Sequence, residues 1–203
     1  MNQRTWQTAE ELAHAYREGM YSPVDAVEES LARIEAVDGA VNSMVTVTAG
    51  AARAEALAAD RRLRAGEELP ALFGIPITVK DLTDTAGVRT TYGTLKFADY
   101  VPEADALAWA RLKAAGAILI GKTTTPEYGM LGITASKLTG HTSTPWKIGY
   151  NSGGSSGGAA AGVAAGIVSV AWGSDGGGSG LRAWRQRLVL HPARRRFWLL
   201  RPW

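Results

Sequence analysis

Gly153-Gly154-Ser155-Ser156-Gly157-Gly158-Ala159-Ala160-Ala161-Gly162-Val163-Ala164-Ala165-Gly166-Ile167-Val168-Ser169-Val170-Ala171-Trp172 is the stretch from which the fold can be read. Residues 158–166 carry only glycine, alanine and one valine, which predicts a helix thin enough for close packing. Ile167–Trp172 is then a short apolar run, as expected of a strand buried on both faces of a sheet. A second such run, Ala117–Ile120, follows a predicted helix over Glu103–Ala115 that Gly116 ends. That helix offers Leu107, Ala110, Leu112 and Ala114 for packing. A third run, Ile75–Val79, surrounds Pro76. Strands that alternate with helices predict an α/β fold: part of a mixed β-sheet, linked by crossovers and covered by helices.

Upstream the texture is helical. Thr8-Ala9-Glu10-Glu11 is a capping box and opens a helix to about Arg17. Ser22-Pro23-Val24-Asp25 is a second start signal: serine caps, proline takes the first helical position, and aspartate favours the positive end of the dipole. Val24, Val27, Leu31 and Ile34 then share one helical face. A third helix, rich in alanine and arginine, spans about 49–65 and stops at Gly66. The chain therefore divides into an N-terminal helical segment (1–70), a partial α/β core (71–179) and an Arg/Trp-rich tail (180–203).

Composition removes several function classes. There is no cysteine, hence no disulfide framework, thiol nucleophile or cysteine-bound zinc. Met1–Trp6 contains no apolar signal core, and the apolar stretches are too short to span a bilayer. These features read as a cytoplasmic protein. The net charge of +3 comes from the tail, where seven arginines stand among residues 180–203 without one acidic residue. Subtracting those seven charges leaves −4 on residues 1–179. The body thus has no basic character to offer nucleic acid. The tail holds three of the seven tryptophans and shows no clear strand or helix period.

The chemistry lies in two glycine-framed serine turns, 153–158 and 173–179, together with Lys80. Ser179 follows Gly176-Gly177-Gly178, whose backbone can approach a substrate and turn its N–H groups towards one point. This makes Ser179 a candidate nucleophile and the preceding turn a candidate oxyanion hole. A serine hydroxyl is weak until a base takes its proton. The three histidines, His14, His141 and His191, are scattered, so Lys80 is the remaining candidate base. An ordinary lysine has a pKa of about 10.4, so roughly one in 2,500 is neutral at pH 7. Burial beside Ile75, Ile77 and Val79 would lower that value, and Ser155 would relay the proton between Ser179 and Lys80. The segment Gly116–Thr123 formally matches a phosphate-binding loop, but its four intervening residues are all apolar and read as strand instead.

Four blocks resemble the amidase signature family: 153–166, Gly-Ser-Asp-Gly-Gly-Gly-Ser at 173–179, Gly-Ile-Pro-Ile-Thr-Val-Lys-Asp at 74–81, and Gly-Lys-Thr-Thr-Thr-Pro-Glu-Tyr-Gly at 121–129. The resemblance runs over about 1–179 in order and spacing. It implies amide hydrolysis through an acyl-serine, with Ser179 as nucleophile, Ser155 as bridging serine, Lys80 as base and the Gly176, Gly177 and Gly178 backbone as oxyanion hole. Asp175 and Ser156 would support the site. It further implies a small-molecule amide substrate, no metal, no organic cofactor, and pairing as a homodimer. One branch of the family is the amidotransferase subunit that supplies ammonia to mischarged transfer RNA. There Asp-Glu-Phe is expected where this chain has Pro126-Glu127-Tyr128, which favours a stand-alone amidase. Family members usually continue Gly-Gly-Ser-Ile-Arg and are more than twice as long. Here Ser179-Gly180-Leu181-Arg182 leads into the tail, so we expect a change of frame or a truncation near residue 180. The alternative to an amidase is then an inactive fragment.

Overall fold

The computed structural model describes residues 7–179, and the strand backbone at 188–190 and 197–202. Both early start signals act as read. Helix α1 (Ala9–Arg17) is capped by Thr8, whose hydroxyl accepts from Glu11 N–H while the Glu11 carboxylate accepts from Thr8 N–H. Helix α2 (Pro23–Val41) repeats the device with Ser22 and Asp25. Helix α3 (Ala49–Arg64) is the third predicted helix.

Between α2 and α3 the all-helical reading of the N-terminal segment fails. Strand β1 (Met44–Val47) is inserted there and pairs antiparallel with β3 (Ile118–Thr123). Its four residues are β-branched or unbranched apolar, too few to show a period. Asn42 reverses the chain into it from a left-handed conformation.

The parallel core is β3, β2 (Pro76–Lys80) and β8 (Val170–Ser174), with β2 central. Helix α4 (Leu107–Ala114) connects β2 to β3, and α5 (Gly157–Ala164) leads to β8. Helix α4 starts later than the sequence suggested. Asp105 accepts from Ala86 N–H and Ala106 N–H donates to Asp84 O, which commits those residues to a loop. Its packing residues are Trp109 and Leu112, whereas Leu107 points to solvent. Strand β8 also begins later, because Ile167 N–H closes the end of α5 by donating to Gly162 O. Of residues 117–120, read as strand rather than phosphate loop, 118–120 lie within β3 and Ala117 just precedes it. Two short ribbons follow: β4 (Ala135–Ser136) with β5 (Gly140–His141), and β6 (Ser143–Thr144) with β7 (Lys147–Asn151).

Two strands lie in the tail, where no strand period was legible. Strand β10 (Phe197–Pro202) pairs antiparallel with β8, and β9 (Leu188–Leu190) pairs with β10. Phe197-Trp198-Leu199-Leu200 is a β-favouring run, and an unfilled edge of β8 supplies the hydrogen bonds. The rest of the tail, with Gly180, Leu181, Arg182, Trp184 and Trp203, lies outside the described residues, as does Met1–Trp6.

Successive residues of a strand face opposite ways, and the core divides accordingly. Ile118, Ile120 and Ala171 pack with α2, α3 and α5. Ile75, Ile77, Val79, Leu119 and Trp172 pack with α1 and with Trp109 and Leu112 of α4. No helix among the described residues is long and apolar enough to cross a membrane.

All eight residues of α5 are buried. A Cβ added at Gly158 would stand 2.4–2.6 Å from Thr124 Oγ1, N and O. Alanine is the better helix former by about 1 kcal/mol, but overpacking costs about 1–3 kcal/mol and here meets backbone. Gly158→Ala should therefore lower stability by about 2 kcal/mol in urea unfolding. A more stable variant would contradict the close approach of α5 to residue 124.

Candidate active site

The three parallel strands end on the same side, and ligand sites of such sheets lie beyond their carboxyl ends. Lys80 is the last residue of β2 and Ser174 the last of β8. The turn 153–156, with a cis peptide at Gly154–Ser155, brings two serines over these ends. Ser156 is the N-cap of α5.

Lys80 has no solvent exposure. Its Nζ donates to Ser155 Oγ at 2.8 Å, Ser156 Oγ at 3.0 Å and Ser174 Oγ at 3.2 Å, and lies 3.4 Å from Ser174 O. Every one of these partners is uncharged. Burial lowers the amine pKa to about 7, against the opposing pull of Asp175. Lysine is therefore half neutral near physiological pH, at the end of a strand, among hydroxyl groups.

Ser179 is 3% exposed, and its Oγ accepts from Ser156 N–H at 2.8 Å. That N–H is at the start of α5, where the helix dipole favours negative charge. The Ser156 hydroxyl also donates to Ser174 O at 2.9 Å and accepts from Ser174 N–H at 3.3 Å. Thr125 Oγ1 donates to Ser155 O at 3.1 Å.

Lys80, Ser155, Ser156 and Ser179 thus come together from distant blocks of sequence. The expected relay is present on one side only. Ser155 is bonded to Lys80 and Ser179 to Ser156, and the hydroxyls of Ser155 and Ser179 share no hydrogen bond in this arrangement. Asp175 Oδ1 accepts from Gly178 N–H at 2.6 Å and Ser179 N–H at 3.0 Å. Two donors of the expected oxyanion turn are therefore directed at a carboxylate, and Gly176–Gly177 form its exposed tip. Ser174 and Thr125 were not singled out from the sequence. Ser174 lies next to Asp175 in the second serine turn, and only the register of β8 against β2 reveals that it reaches Lys80.

The family described as Amidase matches residues 25–182. The chain belongs to the amidase family. It is 41% identical to an acylamidase of Rhodococcus erythropolis over 174 residues, covering 86% of this chain and 36% of that protein. It is 44% identical over 172 residues to a glutamyl-tRNA(Gln) amidotransferase subunit of Geotalea daltonii, covering 85% of this chain and 35% of the other. Among solved structures, a bacterial aryl acylamidase of the amidase signature family superposes with a TM-score of 0.82 at 36% identity, over 86% of this chain and 36% of that one. This amidase-family chain accordingly spans about a third of the length of the relatives it matches.

Carbon NMR of the Lys80 side chain should show a titration midpoint near pH 7. Asp175→Asn keeps an acceptor for Gly178 and Ser179 but removes the charge that favours the ammonium form. The midpoint should then move below that of the unsubstituted chain. A midpoint near 10 in the unsubstituted chain would show that Lys80 is solvated.

Proposed function

We propose that this sequence carries the nucleophile, base and relay of an amidase that hydrolyses a carboxylic amide to the acid and ammonia or an amine. The observation that carries the reading is the buried Lys80 amine, held near neutrality and bonded to Ser155 and Ser156. The family supports it, as does the lack of any histidine among the described residues bonded to these serines.

Neutral Lys80 acts as the base. Ser179 Oγ attacks the amide carbonyl carbon while its proton moves to Ser155, and the Ser155 proton moves to the Lys80 lone pair. For this, Ser179 and Ser155 close the gap between their hydroxyls when substrate is bound, as apo geometries commonly do. The tetrahedral oxyanion is met by the turn at its exposed Gly176–Gly177 part, while Asp175 keeps the N–H groups of Gly178 and Ser179. Collapse breaks the C–N bond, and the leaving nitrogen takes the proton from Lys80 through Ser155. Water repeats the sequence on the acyl-Ser179 ester, which releases the acid and restores the serine. Ser156 holds Ser179 through its N–H and ties β8 to α5 through its hydroxyl. Asp175 holds the turn by its carboxylate.

The relative named as part of an amidotransferase matches as well as the acylamidase does. Both readings share the acyl-serine chemistry, and Pro126-Glu127-Tyr128 favours the stand-alone hydrolase.

A fluorophosphonate should label the chain at one residue, located by mass spectrometry at Ser179, with loss of fluoride. Lys80→Ala should slow labelling by about two to four orders of magnitude. The rate should rise with pH through about 7, as the neutral amine replaces the ammonium, and level off above it. Labelling elsewhere, or at an unchanged rate in Lys80→Ala, would refute the assignment.

A further inference from the structure

Lys122 is the second lysine of the sheet with no exposure to solvent, and the proposed reaction does not use it. It lies on β3 with Val79 of β2 as its register partner. Its side chain therefore leaves the sheet on the face opposite to Lys80. There its Nζ donates to Thr83 O at 2.7 Å, Thr90 Oγ1 at 2.6 Å and Thr85 Oγ1 at 3.1 Å. An ammonium has three protons to give, and all three go to one segment. That segment, 81–93, leaves β2 directly after Lys80. The Asp81 carboxylate faces Lys122 at 3.8 Å. Its Oδ2 accepts from Thr91 N–H at 3.0 Å and from the Thr91 hydroxyl. Asp84 and Arg89 are the other charged groups whose fields reach the pair. From β8, Trp172 Nε1 donates to Thr83 Oγ1 at 3.1 Å.

The pinned segment meets the candidate site at both ends. At its start, Thr83 N–H donates to Lys80 O at 3.0 Å and Asp81 N–H to Thr123 O at 3.1 Å. At its end, Tyr92 O accepts from Tyr128 N–H at 2.8 Å. The next residue, Gly129, packs between Leu82 of the segment and Ser155: an added Cβ would stand 2.6 Å from Leu82 Cδ1 and 3.5 Å from Ser155 Oγ. We infer that Lys122 is a positioning residue for the Lys80–Ser155 pair, acting through the 81–93 segment. It touches no reacting atom. It holds three points of the segment to β3 and so fixes the backbone at Lys80 and the wall against Ser155. The inference rests on the reading of Ser179 as nucleophile.

The test is the rate of Ser179 modification by a fluorophosphonate, resolved into the maximal rate constant and the concentration for half-saturation, with thermal melting in parallel. Thr85→Val and Thr90→Val each remove one acceptor at nearly constant shape, and Thr85→Ser retains it. Lys122→Met removes the pin. Displacement of a catalytic group by about 1 Å costs on the order of a hundredfold. We expect Lys122→Met to lose about that factor in the maximal rate constant, and each valine variant about tenfold. Half-saturation should stay unchanged, and Thr85→Ser should react like the unsubstituted chain. Loss of folding alone lowers the fraction labelled and leaves the rate constant of the labelled molecules as it was. If Lys122→Met does not fold, the threonine variants decide. Folded variants that react at the unsubstituted rate overturn the inference, as does equal slowing by Thr85→Val and Thr85→Ser. If the unsubstituted chain is not labelled, the reading of Ser179 falls and this inference with it. A labelled chain with unaffected variants removes this inference alone.

Discussion

In the proposed reaction the Lys80 amine must be uncharged in the protein interior, and this is the constraint on which the site depends. Water stabilises an ammonium ion by far more than a few hydroxyls can, so burial alone moves Lys80 towards its neutral form. The fall from 10.5 to about 7 corresponds to about 5 kcal/mol at ~1.4 kcal/mol per unit. A carboxylate in direct contact would oppose that shift, because it favours the charged amine. The partners of Lys80 are accordingly three serine hydroxyls and a carbonyl. Asp175, the carboxylate of the site, is engaged with two backbone N–H groups instead.

The fold meets this constraint by letting backbone come close. Lys80 ends the central strand, flanked by β3 and β8, and its amine meets Ser174 at the end of β8. The remaining side is closed by the start of α5, whose glycines stand against Thr124 and Thr134 at distances no side chain would permit. A bulkier helix would stand further from the sheet and admit water to the amine. The alanine and glycine composition of residues 157–164 is thus tied to the electrostatics at Lys80. Local stability is given up for it, since glycine is a poor helix former.

Much of this is legible in the sequence where the cause is local. Thr8 with Glu11 and Ser22 with Asp25 announce helices because the cap, the carboxylate and the first turn lie within four residues. The buried strands show as apolar runs, and the serine turns show as glycine frames. What cannot be read is set by pairing between distant segments. Strand β1 is four residues long and exists because the edge of β3 accepts it. Trp109 replaces Leu107 as the anchor of α4 because Asp84 and Asp105 delay the helix start. Ser174 reaches Lys80 through the register of β8 on β2. The Asp175 contact with the 178 and 179 N–H groups is local, but a glycine frame alone does not tell whether those donors face a side chain or a substrate. The tail strands need the free edge of β8 as well as the β-favouring run at 197–200, and that edge is a property of the sheet.

The two buried lysines show how neighbours decide the chemistry of one residue type. Lys80 and Lys122 stand on adjacent strands, leave by opposite faces, and are equally hidden from solvent. Burial lowers both, Lys80 to about 7 and Lys122 to about 8. Lys122 has Asp81 at 3.8 Å and Asp84 beyond it, and these carboxylates hold its charge at neutral pH. A buried pair of this kind gives little net stability, because desolvation offsets the attraction. Yet breaking it by removing one partner is costly, and a charged amine demands three acceptors in fixed directions. A charged lysine is therefore suited to holding a segment, and a neutral one to taking a proton. Asp81 stands between them in the chain, next to Lys80 in sequence but turned to the other face. The alternation of a β-strand thus places the carboxylate beside Lys122 and away from the lysine proposed to take a proton.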